Sequence, residues 1–332
     1  MERLLEVRNL KVTYHTRAGD VQAVRGADFH LDRGETLAVV GESGCGKTAV
    51  AKAVMRLIEK PRGEIEETSM IFFEGRNVLE MDKKEIRKLR GGEIGMIFQD
   101  PMTSLNPTMR IGDQIAESLM LHCGMKRKPA FSRACELLKQ VRINDWELMA
   151  KRYPHEFSGG MRQRAMIAMA AAGGPRIIIA DEPTTALDLT IQAEIMGLLR
   201  ELKKNTGTSM MLITHDLAIA AGSADRVHIM YAGRIVEKAE TKELFGNPAH
   251  PYTEALLNSA PGPGSESKSR LATMAGSPPD LIGTIRGCAF AKRCGSCMPI
   301  CLEKNPGMVK LGAGHEAACW KLIGDTAGGE AP

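Results

Sequence analysis

A Gly-rich segment near the start of the chain has the residue types and spacing that hold phosphate. It satisfies the pattern G-x-x-x-x-G-K-[ST] and consists of Gly41, Glu42, Ser43, Gly44, Cys45, Gly46, Lys47 and Thr48. Glycines let the backbone curl so that successive N–H groups point inward at phosphate oxygens. Lys47 is expected to reach the β- and γ-phosphates of a nucleotide, and Thr48 to offer its hydroxyl to Mg²⁺. A chance Gly-rich turn is the alternative, but it does not explain the strand pattern before the loop and the helix pattern after it.

Two adjacent carboxylates follow a second apolar run. Asp181 and Glu182 come directly after Ile177–Ala180, which has the pattern of a buried strand, and Pro183 ends that strand. A strand that delivers two acids at its C-terminal end suits two tasks: Asp181 holds Mg²⁺ and Glu182 polarises an attacking water. The alternative is a pair of solvated acids.

Ser158, Gly159 and Gly160 precede a helical pattern and form a second candidate anion site. Serine and glycine at a helix N-terminus leave backbone N–H groups available to an anion. A simple helix cap would also account for this serine. From the residues alone, two interpretations therefore remain open: a second phosphate-binding helix end, or an ordinary N-cap.

Short apolar runs alternate with helical patterns along the chain and supply the elements for these residues. The strand candidates after the first hairpin are Glu35–Val40, Ile94–Phe98, Arg176–Ala180 and Ser209–Thr214. Helical patterns follow the phosphate loop, fill residues 101–172 and recur over Ile191–Leu202. Strands alternating with helices indicate a parallel sheet covered on both faces, which is an α/β fold.

Composition excludes several classes of protein. Lys and Arg number 44 against 40 Asp and Glu, a net charge of +4 that lacks the bias of a dedicated nucleic-acid binder. With only 2 Trp, 4 Tyr and 8 Phe, the chain also lacks a surface for stacking bases. No stretch approaches 18 apolar residues, so we expect no transmembrane helix, and the first residues have no signal-peptide core.

Six motifs stand in the order found in ABC-type ATPase domains, and over about residues 4–261 the chain resembles that family. They are GESGCGKT, Gln99 after a strand, FSGGM, IIIADEP, TALD and ITHD. The resemblance implies a P-loop fold with a mostly parallel core sheet, an antiparallel β subdomain and a helical subdomain at about residues 100–172. It implies ATP and Mg²⁺ as ligands, and ATP hydrolysis as the activity.

The resemblance also assigns roles to single residues around the triphosphate. Glu182 corresponds to the catalytic base and Asp181 to the carboxylate that supports Mg²⁺. Gln99 corresponds to the residue that contacts Mg²⁺ or the attacking water, beside the docking place of a membrane partner. His215 corresponds to the switch histidine at the γ-phosphate. Tyr14 lies where the family places an aromatic ring against adenine, although a tyrosine in an early strand is more often a packing residue.

ABC-type domains pair head to tail, which explains the second helix end. Ser158, Gly159 and Gly160 are then the signature that closes on the γ-phosphate held by a partner domain, and Asp188 lies at the interface between the two. The signature departs from the commonest LSGGQ at its first and last residues, but its Ser-Gly-Gly centre is intact.

The C-terminal part resembles the extension of ATPases from peptide and nickel importers. The segments that carry this resemblance are His250–Thr253 and Gly276–Pro279. Together with DEPTTALD, they resemble the D-type subunits of oligopeptide and dipeptide permeases. We expect an ATPase domain over 1–260, and a linker with a small Cys-rich module over 261–332. The implied partners are a second ATPase subunit, two membrane permease subunits and an extracytoplasmic substrate-binding protein, with this chain peripheral at the cytoplasmic face of the membrane.

Five of the eight cysteines lie in that C-terminal module. Four of them, Cys288, Cys294, Cys301 and Cys319, are separated by 5, 6 and 17 residues, unlike the paired cysteines of common zinc sites. Thiolates of this kind hold either Zn²⁺ or an iron–sulfur cluster. The resemblance implies a [4Fe–4S] cluster on these four, with Cys297 as an alternate ligand. Free buried thiols are the other interpretation.

Several other functions remain as alternatives to a peptide importer. Nearest is a soluble ABC-type ATPase acting on nucleic acid or ribosomes, although the chain has neither a long coiled coil nor a second ATPase domain. An importer of nickel or another solute fits the same motifs. A P-loop kinase and an iron–sulfur electron carrier are more distant alternatives.

Overall fold

The computed structural model describes residues 2–185, 187–259, 274–312 and 314–325. The chain divides into two compact units that interleave in sequence. Unit 1 comprises residues 1–4, 31–36 and 77–213, and unit 2 comprises residues 5–30, 37–76 and 214–332. The predicted linker at residues 260–270 lies outside the described residues.

Unit 1 contains three parallel strands. They are β7 (Ile94–Ile97), β8 (Ile177–Asp181) and β9 (Ser209–Thr214), in the order β7-β8-β9. All fifteen of their residues are buried, as the apolar runs predict. The register pairs Ile97 with Ala180, so the two strands end at the same level of the sheet.

Helices account for most of the rest of unit 1. They are α2 (Lys83–Lys88), α3 (Pro101–Ser104), α4 (Ile111–Cys123), α5 (Arg127–Gln140), α6 (Trp146–Met149), α7 (Gly159–Ala171) and α8 (Leu189–Thr206). Their starts follow local sequence signals: Asp82 accepts from the backbone N–H groups of Lys84 and Glu85, while Asp188 accepts from that of Ile191. Helices α3 to α7 fall within the range of about 100–172 where a helical subdomain is predicted.

Unit 2 contains an antiparallel sheet built on the first hairpin. Strands β1 (Arg3–Thr16) and β2 (Gly19–Asp32) are joined by a two-residue turn. The sheet has the order β2-β1-β5-β6, with β4 paired to β1; these further strands are β4 (Gly63–Ile65), β5 (Met70–Phe73) and β6 (Arg76–Asn77). The antiparallel subdomain that the resemblance implies is therefore present.

A second set of strands in unit 2 has the order β12-β13-β11-β10-β3. Its members are β3 (Thr36–Val40), β10 (Arg226–Tyr231), β11 (Arg234–Glu240), β12 (Val309–Gly312) and β13 (His315–Ala317). β10 is parallel to β3, whereas β11 and the two C-terminal strands are antiparallel to their neighbours. The C-terminal strands were absent from the sequence prediction because polar residues interrupt their apolar pattern.

The helices of unit 2 are short. They are α1 (Lys47–Val54), α9 (Leu217–Ala221), α10 (Thr241–Gly246), α11 (Pro251–Ser259), α12 (Pro299–Glu303) and α13 (Trp320–Asp325). Apolar residues continue at helical spacing after α1, at Leu57 and Ile58, but the helix does not. It ends at Val54 because Arg56 adopts a left-handed conformation with φ of 51°.

One hydrophobic cluster in unit 2 joins the strands to the C-terminal residues. Tyr231 of β10, Tyr252 of α11 and Phe290 are almost fully buried, with ring centroids 4.5–5.4 Å apart. Cys288 and Cys294 pack against the same cluster. Aromatic packing of this kind fastens the segment around Phe290 to the body of unit 2.

Among the described residues, no helix combines the length and the apolar character needed to cross a bilayer.

Candidate nucleotide-binding site

The Gly-rich segment forms a loop between β3 and α1, as its sequence predicts. β3 ends at Val40 and α1 begins at Lys47. The Lys47 side chain is buried, and its Nζ donates to the carbonyl oxygens of Gly41 at 2.7 Å and Glu42 at 3.0 Å. Lys47 thus lies at the N-terminus of α1, the end of a helix that favours an anion.

Two glycines of this loop have no room for a side chain. A Cβ on Gly41 would lie 2.1 Å from the Met230 carbonyl oxygen, and a Cβ on Gly46 would lie 2.1 Å from that of Ala23. Gly46 also has φ of 107°, a conformation that L side chains rarely adopt. The loop can therefore pack against these two backbone carbonyls only because both positions are glycine.

The loop is fastened to unit 2 by four polar groups outside it. Gly233 N donates to the Cys45 carbonyl at 2.8 Å. The Glu42 N–H donates to Tyr252 Oη at 3.0 Å. Arg293 then binds the Glu42 carboxylate through both terminal nitrogens, at 2.8 and 3.0 Å. The position of the loop thus depends on the turn between β10 and β11, on helix α11 and on the C-terminal segment.

The catalytic candidates Gln99 and Glu182 are brought together in unit 1. Gln99 Nε2 donates to Glu182 Oε2 at 3.2 Å, and Thr185 Oγ1 donates to the same oxygen at 2.8 Å. Glu182 adopts a left-handed backbone with φ of 47°, and its N–H donates to Ile213 O at 2.9 Å. Such a conformation costs roughly 1–3 kcal/mol and is found mainly where function requires it.

Asp181 is the last residue of β8 and is 1% exposed. Burial of a carboxylate is unfavourable unless it is paired or binds a cation, so its position suits a group that supports a metal ion. The carboxylates of Asp181 and Glu182 therefore occupy different environments, since Glu182 is only half-buried.

Ser158 caps helix α7, and its Oγ accepts from the Met161 N–H at 3.3 Å. Ser158 and Gly159 are exposed. A Cβ on Gly160 would lie 3.2 Å from Ile191 at the start of α8. Asp188 is exposed and caps α8. The Ser-Gly-Gly turn and Asp188 thus both stand at helix starts within unit 1.

The remaining nucleotide candidates belong to unit 2. Tyr14 lies on β1 opposite Gly63, and a Cβ on that glycine would come within 2.7 Å of the tyrosine ring. The ring therefore packs on the sheet, and its role toward adenine stays a prediction. His215 is exposed and follows β9 directly. Ser43 and Gly44 are exposed at the tip of the loop, Cys45 is buried and Thr48 is half-buried.

Thr185, Tyr252 and Arg293 are site residues that the sequence analysis missed. For Thr185, the available signal was its position three residues after Glu182, inside DEPTTALD. Tyr252 belongs to the quoted HPYT segment, but nothing in its spacing points to the loop. Arg293 lies 251 positions from Glu42, and no pattern in the sequence joins them.

The iron–sulfur prediction is wrong. Within residues 2–185, 187–259, 274–312 and 314–325, no three His, Cys, Asp or Glu side chains are grouped to hold a metal ion. Burial raises the pKa of the Cys288, Cys294 and Cys319 thiols. The proposed ligands Cys288, Cys294, Cys301 and Cys319, like the alternate Cys297, are free cysteines.

Comparison with protein families places the site in a known class. Residues 24–185 match the model of the ABC transporter family, and residues 236–301 match the "Oligopeptide/dipeptide transporter, C-terminal region". The first match contains the phosphate-binding loop, Gln99, the Ser-Gly-Gly turn and the two carboxylates.

Curated relatives match over almost the whole chain. The oligopeptide transport ATP-binding protein OppD of Bacillus subtilis (strain 168) is 50% identical over 99% of this chain and 92% of its own length. The dipeptide transport ATP-binding protein DppD of Lactococcus lactis subsp. cremoris (strain MG1363) is 51% identical over 97% of this chain and 91% of its own length. The chain belongs to the ABC transporter family of oligopeptide and dipeptide transport ATP-binding proteins.

Solved structures agree on the fold. A dimeric structure of the ATP-binding cassette MJ0796 bound to ADP and Pi has a TM-score of 0.64 and is 26% identical, covering 72% of this chain and all but 1% of its own. The structure of cbiO1 from Clostridium perfringens has a TM-score of 0.62 and is 28% identical, covering 74% of this chain and 92% of its own. The predicted ABC-type P-loop fold is confirmed.

Proposed function

We propose that this chain is the ATP-hydrolysing subunit of a membrane importer for dipeptides or oligopeptides. The observation that carries the proposal is the identity of about half of all residues to oligopeptide and dipeptide transport ATP-binding proteins, through the C-terminal region as well as the ATPase motifs. A soluble ATPase acting on nucleic acid or ribosomes shares only the ATPase motifs, so the C-terminal match favours the importer.

The residues of the loop suit a nucleoside triphosphate. Gly41 and Gly46 leave the backbone open to phosphate, and Lys47 brings a buried positive charge beside it. In the proposed reaction Lys47 exchanges one of its carbonyl partners for a phosphate oxygen. Ser43, Gly44, Cys45 and Thr48 present backbone N–H groups to the phosphates.

Oxygen donors are the ligands that Mg²⁺ prefers, and the chain offers them at Thr48, Gln99 and Asp181. When bound, Mg²⁺ neutralises the charge that develops on the β- and γ-phosphates. Glu182 orients and polarises the attacking water, while Gln99 and Thr185 hold its carboxylate through two hydrogen bonds to one oxygen. His215 contacts the γ-phosphate, and Tyr14 lies against adenine.

Hydrolysis in this proposal needs a second, different ATPase subunit that forms a heterodimer with this chain and completes each nucleotide site. Ser158, Gly159 and Gly160 of this chain contact the γ-phosphate held by a partner ATPase subunit, and Asp188 lies at that interface. Two membrane permease subunits and an extracytoplasmic binding protein complete the importer, and this chain is peripheral at the cytoplasmic face of the membrane. Exposure of Ser158, Gly159 and Asp188 supports an interface there.

We also propose the domain division 1–260 for the ATPase domain and 261–332 for a C-terminal extension. The match of residues 236–301 to a separate C-terminal family model supports an extension that other ABC ATPases lack. Its cysteines contribute to packing, since Cys288 and Cys294 lie against the aromatic cluster of Tyr231, Tyr252 and Phe290.

The proposal is tested by uptake in cells whose own copy of this gene is deleted. Wild-type chain should restore import of radiolabelled di- and oligopeptides, and Lys47→Ala should not, although it accumulates to the same level. Restored uptake of nickel but not of peptides would assign the chain to a metal importer. Peptide uptake that does not depend on the chain would refute the proposal.

A further inference from the structure

The C-terminal segment, here residues 274–312 and 314–325, reaches the phosphate-binding loop through one side chain. Arg293 donates from Nη1 to Glu42 Oε2 at 2.8 Å and from Nη2 to Glu42 Oε1 at 3.0 Å. The Arg293 side chain is 5% exposed and that of Glu42 is 25% exposed. Two parallel hydrogen bonds between a guanidinium and a carboxylate fix both distance and orientation. A contact this well buried is too rigid to be an incidental surface ion pair.

The rest of the guanidinium is held by the C-terminal segment and by β10. Nε donates to the Ala275 carbonyl at 3.1 Å, and Nη1 also donates to Tyr231 Oη at 3.2 Å. The guanidinium carbon lies 5.8 Å from the centre of the Tyr231 ring and 6.0 Å from that of Phe290. The hydrogen bonds to Glu42 raise the pKa of Arg293 further above its usual value, so the guanidinium stays charged.

Glu42 is therefore fixed at three points. Its carboxylate is bound by Arg293, its N–H by Tyr252 Oη, and its carbonyl oxygen by Lys47 Nζ. The third contact is relevant to phosphate binding, because Lys47, the expected phosphate-binding lysine, donates to this carbonyl oxygen. A shift of Glu42 would move both the start of the loop and the carbonyl oxygen to which Lys47 Nζ donates.

We propose that Arg293 is a positioning residue for the phosphate-binding loop, through which the C-terminal segment sets the affinity of the loop for a nucleoside triphosphate. This rests on the proposed function of the loop as an ATP site. In this proposal Arg293 acts only through Glu42. The C-terminal segment is then part of the nucleotide site's support, and changes in that segment alter ATP binding.

The test measures binding of the ATP analogue AMP-PNP with Mg²⁺ to the full chain by calorimetry, and kcat and KM for ATP. Arg293→Met should raise the dissociation constant and KM about tenfold while kcat changes less than about twofold, because a displaced loop weakens binding in ground and transition states alike. Arg293→Lys should fall between, since an ammonium cannot make both hydrogen bonds. Arg286→Met, an exposed arginine of the same segment, is the matched control and should bind like wild type.

A double-mutant cycle with Glu42→Gln decides whether the effect passes through Glu42. The double variant Glu42→Gln/Arg293→Met should bind no more weakly than the poorer single variant, because both changes remove one interaction. Additive losses would show that Arg293 acts elsewhere and would overturn the proposal, as would wild-type affinity in Arg293→Met. Should Arg293→Met fail to fold, Glu42→Gln alone decides: unchanged affinity overturns the proposal. Absence of AMP-PNP binding in the wild-type chain would instead refute the ATP site itself.

Discussion

Gln99 and Glu182 lie side by side because their strands end in register. β7 and β8 are parallel, Ile97 is paired with Ala180, and each of the two side chains follows two residues later. The Gln99 amide consequently donates to Glu182 Oε2 at 3.2 Å. Residues 83 positions apart in sequence are brought to one point by a sheet that the apolar runs already indicate.

The left-handed backbone of Glu182 adds to this arrangement. With φ of 47°, the residue turns its side chain out of the line of β8, which is where Thr185 Oγ1 reaches it at 2.8 Å. Glycine would adopt this conformation without strain, yet a glutamate stands here. A non-glycine residue in this conformation stores roughly 1–3 kcal/mol of strain.

Glu182→Gln should slow ATP hydrolysis about 10²- to 10⁴-fold while ATP binding persists, because the amide keeps the shape but cannot polarise water as a base. Phosphate release and nucleotide affinity, measured on the same preparation, check this. Glu147→Gln, an exposed glutamate of α6, should leave both unchanged. Wild-type turnover in Glu182→Gln would remove Glu182 from the catalytic role.

Thr185→Val should lower kcat about tenfold with little change in KM, since a hydrogen bond to a charged group contributes about 1.5 kcal/mol. Valine keeps the volume of threonine but leaves Glu182 Oε2 without its closer donor. Steady-state kinetics across ATP concentrations separate kcat from KM.

Thr185→Ser restores the hydroxyl and should recover most of the rate. Thr190→Val, on the exposed surface of α8, serves as the control for the substitution itself. If valine and serine at position 185 reduce kcat equally, the hydroxyl is not the active feature.

The strands that carry Gln99 and Glu182, and the phosphate-binding loop, could be predicted from local sequence. The run Ser209–Thr214 gives β9 with its predicted bounds, and the runs for β7 and β8 are correct to within one residue at each end. Buried parallel strands are continuous apolar segments, so their position is visible without knowledge of their neighbours. The phosphate-binding loop is equally visible in the sequence, because the pattern that identifies Lys47 consists of eight consecutive residues.

Two features could not be predicted from local sequence. The Glu42–Arg293 pair joins residues 251 positions apart, and only the tertiary packing of Phe290 on Tyr231 and Tyr252 brings them together. The family resemblance implied an iron–sulfur cluster, and the cysteine spacing could not correct this expectation because spacing does not show which side chains come together in the fold. Where Cys288 packs against that same aromatic cluster, its thiol contributes apolar contact.

His315→Ala should lower the free energy of unfolding by about 1.5–3 kcal/mol, because it removes a hydrogen bond to a buried charged group. Glu237 is fully buried and accepts from His315 Nε2 at 2.8 Å and from the backbone N–H groups of Ala249 and His250 at 2.7 and 3.0 Å. Urea unfolding at neutral pH measures the change. His15→Ala removes an exposed histidine paired with Asp20 and should cost less than about 1 kcal/mol. Equal losses in the two variants would contradict a special role for the buried pair.

His250 should make the folded state less stable in acid. Burial lowers its pKa from the usual 6.5 to about 4, and its Nδ1 accepts the Tyr252 N–H at 3.0 Å in the neutral form. Between these two values the unfolded chain binds a proton that the folded chain does not, so stability is complete above pH 6.5 and falls as the pH drops toward 4. The contribution is about 3 kcal/mol, and buried His228, whose pKa is also lowered by burial, adds in the same direction.

In His250→Asn the loss of unfolding free energy between pH 7 and pH 4.5 should therefore be smaller than in the wild-type chain, whereas exposed His155→Ala should retain the wild-type loss. An identical pH dependence in His250→Asn and wild type would show that His250 binds a proton equally well in the folded and unfolded chain, which would contradict the lowered pKa.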